Sequence, residues 1–225
     1  LRADEIIGVY AGLRPLVANN KSATTTKLSR EHTVDRPAAG FVSIAGGKYT
    51  TYRVMGKDVV DRAVIELRKI TQESVTEKLP LVGADGYFAL EQQKERIAQE
   101  SGLDVETVTH LLNRHGSLIS EILELIEEQP KLAGKLDADL PYIKAEIVYA
   151  VSYEGARSVD DVISRRTRLS FEAVNHGVHL ADEVASLISP VLGWSAKERK
   201  ESVAQYVELV EREIVALDAL LEVNS

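Results

Sequence analysis

The hydrophobic pattern of the chain changes period around residue 46. From Phe41 to Ala45 apolar residues run almost unbroken up to a glycine pair, the pattern of a short buried strand. Beyond Gly46-Gly47-Lys48 they recur at steps of three and four, at Tyr52, Met55, Val59, Ala63 and Leu67, which is one face of a helix. Thr50 or Thr51 suits the N-cap, with a hydroxyl to accept from the first turn. The predicted unit is therefore strand, Gly-Gly-Lys turn, helix. Such a turn leaves backbone N–H groups pointing out of a helix start that carries positive potential. The glycine pair permits close approach to the backbone, and Lys48 adds a mobile charge. This chemistry suits an anion or an electron-rich ring edge. Many strand-to-helix turns of this composition bind nothing, and Gly-Gly-Lys-x-Thr-Thr is not the phosphate-loop motif.

Upstream, Ile6, Ile7, Val9 and Tyr10 have the look of a strand, with Gly12 just beyond. Arg14 follows in apolar surroundings and needs a partner there: an internal ion pair, or a phosphate or carboxylate held by its planar guanidinium. Residues 18–27 are polar and read as a surface loop. Leu28 to Val34 is a predicted second strand, turning around Asp35-Arg36-Pro37. Arg30 on that strand could face the same side as Arg14. Together with Lys48 the two arginines would form an anion pocket. His32 is open to three roles: general base, hydrogen-bond donor, or exposed strand residue.

Downstream, Leu79 to Gly86 carries one proline and two glycines and marks a domain boundary. From Tyr87 onward the periodicity is helical. The predicted helices are Leu90 to Glu100, Val105 to Arg114 capped by Asp104, Ser117 to Gln129 ahead of Pro130, and Ile143 to Glu154. A further helix opens at a Ser158/Asp161 capping box, another runs from Phe171 to Leu187 and stops at Ser189-Pro190, and a last one opens at Ser195/Glu198 and ends near Leu221. This is the pattern of a compact helical domain.

The 225 residues suffice for one large domain or two small ones, and 44% hydrophobic with 28% charged residues marks a globular chain. The net charge of −8 argues against nucleic acid as the main partner. Cysteine is absent, which removes disulfides, thiolate chemistry and cysteine-held metals. No apolar run is long enough to span a bilayer and no signal peptide is visible at Leu1, so a cytoplasmic location is expected. The opening residues read as ordinary structure without an initiator Met, as in a piece of a longer protein.

In the helical half, Arg157, Arg165, Arg166 and Arg168 gather near Asp160 and Asp161. A salt-bridged helix face is the favoured account, with anion binding or domain docking as the other. His176 and His179 sit three apart on a predicted helix without a carboxylate at zinc-helix spacing, so no metal is expected. Glu146, on an apolar helix, is a candidate buried carboxylate for one of those arginines. Trp194 is expected to pack.

Gly12-Leu13-Arg14-Pro15-Leu16, Ser29-Arg30-Glu31-His32 and Gly46-Gly47-Lys48-Tyr49-Thr50-Thr51-Tyr52-Arg53, in this order, resemble the FAD-dependent glycerol-3-phosphate dehydrogenases of bacteria and mitochondria. Glu146-Ile147-Val148-Tyr149-Ala150 and Asp161 to Leu169 resemble the helical C-terminal domain of that family. No G-x-G-x-x-G turn occurs, so the resemblance is to a C-terminal portion. It implies an α+β chain: residues 1–78 as the C-terminal piece of an FAD-binding, Rossmann-type (DAO-like) domain, and residues 79–225 as an all-α domain. It implies oxidation of glycerol 3-phosphate to dihydroxyacetone phosphate, hydride transfer to FAD, and electrons passed to a membrane quinone. Arg14, Arg30 and Lys48 would bind substrate. Gly46, Gly47, Lys48, Thr50 and Thr51 would line the flavin. Arg14 would polarise or position the substrate, and His32 or a residue upstream would take the hydroxyl proton. The piece alone is expected to be inert and not to retain FAD. Peripheral contact with the inner face of the membrane and a homodimer fit the same picture. The competing expectations are an oxidase using oxygen, and a non-catalytic helical module for dimerisation or docking.

Overall fold

The computed structural model describes residues 12, 17, 31–67 and 70–223. The predicted strand at Ile6 to Tyr10, and Arg14, Arg30 and the start of the Leu28 strand, lie outside the described residues. The chain divides into two units, one spanning Ala11–Pro80 and one that takes in Leu81–Ser225.

The first unit holds a hairpin and a helix. β1 (Thr33–Ala38) pairs antiparallel with β2 (Phe41–Ala45), Val34 opposite Ile44 and Ala38 opposite Phe41. The reversal is at Ala39-Gly40, not at Asp35-Arg36-Pro37, because a two-residue hairpin needs positive φ and Gly40 supplies it at +73°. Pro37 falls in the register irregularity between Asp35 and Ala38, where its missing N–H removes no ladder bond. α1 (Tyr52–Glu66) follows a single 3-10 turn at Tyr49–Thr51. Met55, Val59 and Ala63 are its half-buried face, while Tyr52 and Leu67 are exposed. β2 is also half-buried rather than buried, with Phe41 57% exposed. Two strands and one helix have too little apolar surface to enclose a side chain.

The second unit is helical, with α2 (Tyr87–Glu91), α3 (Lys94–Ser101), α4 (Val105–His115), α5 (Ile119–Glu128) and α6 (Lys144–Ser152) in its first half. The predicted Leu90–Glu100 segment is broken at Gln92-Gln93, between α2 and α3. Asp104 caps α4, its Oδ1 accepting from the Thr107 N–H at 2.7 Å. α6 is buried from Ala145 to Val151, a helix apolar on nearly every side and therefore central. One face, with Ile147, Ala150 and Val151, joins the core of Val159, Val162, Ile163, Val184 and Ile188. The other, with Ala145, Val148 and Tyr149, joins the core of Val108, Leu111, Leu112, Ile119 and Ile122.

Beyond α6 comes a π-helical turn at Asp161–Arg166, then α7 (Leu169–Glu172), α8 (Ala181–Leu192) and α9 (Ala196–Val223). The predicted Phe171–Leu187 helix is interrupted, because Asn175, His176 and Gly177 take left-handed backbone at φ 50°, 54° and 68°. Pro190 does not stop α8, which continues to Leu192 and ends at left-handed Gly193. A proline in the last turn removes one ladder bond, and packing of Val184, Ala185 and Ile188 in the core outweighs that loss. Ser195 and Glu198 form the predicted capping box: the Ser195 N–H donates to Glu198 Oε2 at 2.7 Å and the Glu198 N–H to Ser195 Oγ at 3.3 Å. Trp194 packs against the core. This mostly helical chain with a two-stranded sheet is the α+β class expected.

Candidate functional site

The junction between β2 and α1 is a two-glycine turn. Gly46 and Gly47 both take left-handed backbone, at φ 80° and 88°, before Lys48 returns to extended backbone. The side a Cβ would occupy is filled by the chain itself. At Gly46 it would meet the Glu31 carbonyl oxygen at 2.8 Å, and at Gly47 the Met55 sulfur at 2.5 Å. The glycines thus let the turn close on its own helix and on the residues before β1. The Lys48 side chain is exposed and has no ion-pair partner among the described residues. Thr51 does not act as the expected helix cap, since its hydroxyl donates to the Lys48 carbonyl at 3.0 Å and its N–H to the same oxygen at 3.0 Å. The turn is stitched internally, and the amides of Tyr49 and Thr50 stand at the head of the helix.

His32 lies beside this turn, with its Cβ 3.3 Å from the Cβ position of Gly47. Its Nε2 is 2.8 Å from Asp58 Oδ2 on α1. A neutral imidazole donating to that carboxylate carries its proton on Nε2 and leaves Nδ1 as acceptor. A base whose ring is oriented by a carboxylate is the arrangement general-base chemistry uses. A second pair, Arg36 Nε to Glu66 Oε2 at 2.7 Å, closes the far end of an open groove between β1 and α1. Asp58 was not legible as His32's partner in the sequence. Its one signal is position, one helical step from Met55 and Asp61.

The second unit contains a buried polar cluster of which only Glu146 was a candidate. Glu146 is 3% exposed, and its partners are not Arg157, Arg165, Arg166 or Arg168. Oε1 meets His110 Nε2 at 2.9 Å, His115 Nε2 at 3.4 Å and Arg114 Nε at 3.8 Å, while Oε2 accepts from the Ile143 N–H at 2.9 Å. Burial pushes this carboxyl up, but hydrogen bonds from both histidines and the Ile143 amide outweigh it and hold Glu146 below the usual carboxylate range. Arg114 also donates to the Arg166 carbonyl, and its guanidinium lies 5.6 Å from the Tyr142 ring centre. Burial pushes the Tyr142 hydroxyl up to about 12. The four-residue spacing of His110 and Arg114 on one helix was the signal available, since residues four apart share a face. Of the arginine cluster, Arg165 pairs with Asp160 and with Asp161, the internal salt bridging expected. His176 and His179 are not together on a helix: His179 meets Asp137 at 2.9 Å and His176 approaches Glu213. Among the described residues no group of His, Asp and Glu is placed to hold a metal, and no helix is long and apolar enough to cross a membrane.

The sequence matches the family described as the C-terminal domain of alpha-glycerophosphate oxidase over residues 74–199. It is 49% identical over 212 residues to glycerol-3-phosphate dehydrogenase 2 of Mycobacterium bovis, covering 94% of this chain and 36% of that protein. Mitochondrial glycerol-3-phosphate dehydrogenase of Mus musculus is 34% identical over 205 residues, covering 89% of this chain and 28% of its own length. The chain thus spans about a third of the length of the curated relatives it matches. The fold matches the glycerol-3-phosphate dehydrogenase from Bacillus halodurans solved in complex with FAD, at a TM-score of 0.60 and 23% identity over 76% of this chain and 35% of that one. The chain therefore belongs to the family of the C-terminal domain of alpha-glycerophosphate oxidase, and corresponds to a C-terminal portion of bacterial glycerol-3-phosphate dehydrogenase.

Proposed function

We propose that this chain is part of a flavoprotein that oxidises sn-glycerol 3-phosphate to dihydroxyacetone phosphate and passes the electrons to a membrane quinone. The observation that carries the reading is the β2–α1 junction, where two left-handed glycines, a Lys48 without an ion-pair partner among the described residues and the head of a helix occupy one turn. Bound FAD would supply the hydride acceptor. The residues of this chain have separate tasks. Gly46, Gly47 and Thr51 hold the turn so that the amide of Thr50 and the Lys48 ammonium face the electron-rich edge of the flavin or the substrate phosphate. Arg14 and Arg30 add guanidinium groups suited to the phosphate, and Arg14 positions the substrate. His32, oriented by Asp58, accepts the hydroxyl proton on Nδ1. Residues 1–78 belong in this reading to the flavin and substrate domain and 79–225 to a helical domain that supports it. The chain by itself lacks most of the flavin site and is inert.

The test is the visible spectrum of the longer protein containing this chain, titrated with glycerol 3-phosphate. A flavin band that bleaches with substrate, with a weaker response in Lys48→Ala, supports the reading. A flavin band indifferent to glycerol 3-phosphate removes the substrate, and the absence of flavin removes the whole reading. Oxygen as acceptor is the second reading, favoured by the oxidase whose C-terminal domain names the family. Stoichiometric peroxide in air, without added quinone, selects it.

A further inference from the structure

A separate cavity of about 230 Å³ lies in the helical unit between the π-helical turn, α7 and α9. Three departures from regular structure meet on it. Ser170, 5% exposed, lines it and has a hydroxyl without a hydrogen-bond partner among the described residues. An orphaned buried hydroxyl costs free energy that a partner returns, so native chains carry few of them. His176 lines it from left-handed backbone at φ 54°, a conformation a residue of this size adopts only when its surroundings impose it. The Tyr206 hydroxyl holds that segment by donating to the His176 carbonyl. Ser164 and Arg165 belong to the π-helical turn, a rare form that is frequent at functional sites.

The charge at the cavity selects what enters. Arg165 is already paired with Asp160 and Asp161. Glu213, half exposed on α9, has His176 Nδ1 at 4.0 Å and no other ion-pair partner among the described residues. Asp160, Arg165 and Glu213, the acidic and guanidinium side chains of the lining, carry a formal net charge of −1. Leu209 and Val210 form an apolar wall beside Glu213. The volume is below that of ordinary drug-sized sites, so the occupant is small. We propose that this cavity binds a small amino alcohol, with its ammonium on Glu213, its carbon skeleton on Leu209 and Val210, and its hydroxyl on Ser170 Oγ. This site is independent of the flavin reading, since every residue in it belongs to the helical unit.

The test is a two-dimensional amide NMR titration of the whole 225-residue chain with ethanolamine, with glycerol, inorganic phosphate and sodium chloride at matched ionic strength as parallel titrations. The expected result is saturable shifts at Ser170, His176 and Tyr206 with ethanolamine at millimolar concentration. Glycerol should bind at least tenfold more weakly, and phosphate should not saturate. Glu213→Gln, on an exposed helix face, should weaken ethanolamine about tenfold by removing a charge-assisted bond, and Ser170→Ala several-fold. The proposal is overturned if ethanolamine gives no saturable shift, if Glu213→Gln binds it unchanged, or if glycerol binds as tightly.

Discussion

His110 Nε2 stands 2.9 Å from Glu146 Oε1, joining α4 to α6 through a carboxylate that is almost wholly buried. His115 and Arg114 approach the same oxygen, so one charge ties three side chains of α4 to the helix that belongs to both cores. Removing the charge leaves the buried His115 and the half-buried His110 without their acceptor.

Glu146→Gln is expected to destabilise the chain by about 2 kcal/mol, because the buried His115 ring and the Ile143 amide lose a charged acceptor. The pH dependence has a definite sign. Because the folded carboxyl titrates below its unfolded value, its contribution is complete above the ordinary carboxylate range and is lost as pH falls through the folded value. The gap in denaturation midpoint between the native chain and Glu146→Gln should therefore be widest near neutrality and narrow in acid. A gap that is constant with pH would mean Glu146 acts only through its shape.

Gly116→Ala is expected to cost roughly 3 kcal/mol, from left-handed backbone and a backbone clash together. Gly116 sits at φ 58°, and a Cβ there would lie 1.9 Å from the Gly83 carbonyl oxygen. That oxygen also accepts from the Ser117 N–H at 2.8 Å, so the clash falls on a contact that fixes the entry to α5. Urea denaturation of the variant checks the value.

Asp58→Asn in the longer protein should lower kcat by about 100-fold or more if Asp58 orients His32, because the base loses the carboxylate that fixes its tautomer. KM for glycerol 3-phosphate should change little, and the acidic limb of the pH–rate profile should move. Lys48→Ala should act the other way, raising KM about tenfold through loss of a charge-assisted contact. If Asp58→Asn lowers the melting temperature yet leaves kcat and the pH profile intact, His32 and Asp58 only fasten the hairpin to α1.

Asp104→Ala should cost about 1 kcal/mol and Asp104→Asn much less, since asparagine also caps. The Thr107 amide holds the Asp104 carboxyl below its usual range. The cap therefore contributes most above that range and weakens as pH falls through the folded value. Thermal melts of the two variants separate the cap from its charge.

Ser170→Ala, without any ligand, should stabilise the chain by about 1 kcal/mol, because it deletes a buried hydroxyl that bonds to nothing among the described residues. A loss of stability in differential scanning calorimetry would show that the hydroxyl has a partner.

Much of this fold was legible in the order of residues. The 3.6-residue period of Val105, Val108, Leu111 and Leu112, the Asp104 cap and the Ser195/Glu198 box are local chemistry, and each element formed where that chemistry placed it. The Gly46-Gly47-Lys48 turn between β2 and α1 was legible for the same reason, since glycine is the residue that takes left-handed backbone freely. The hairpin turn was misplaced because Asp35-Arg36-Pro37 carries turn residues, whereas Gly40 carries the positive φ that the reversal needs. The Phe171–Leu187 helix was misjudged because Asn175 and His176 have no local cause to turn left-handed.

What the sequence determined by itself was the class of most segments and the family, because period, caps and glycines act within a few residues. The tertiary structure decided the pairings. Glu146 with His110 spans 36 positions and His32 with Asp58 spans 26, and no local preference encodes a partner so distant. A buried carboxylate must find donors wherever packing brings them, and packing of α6 between two cores brought α4 to Glu146 rather than the arginines that follow it in the chain.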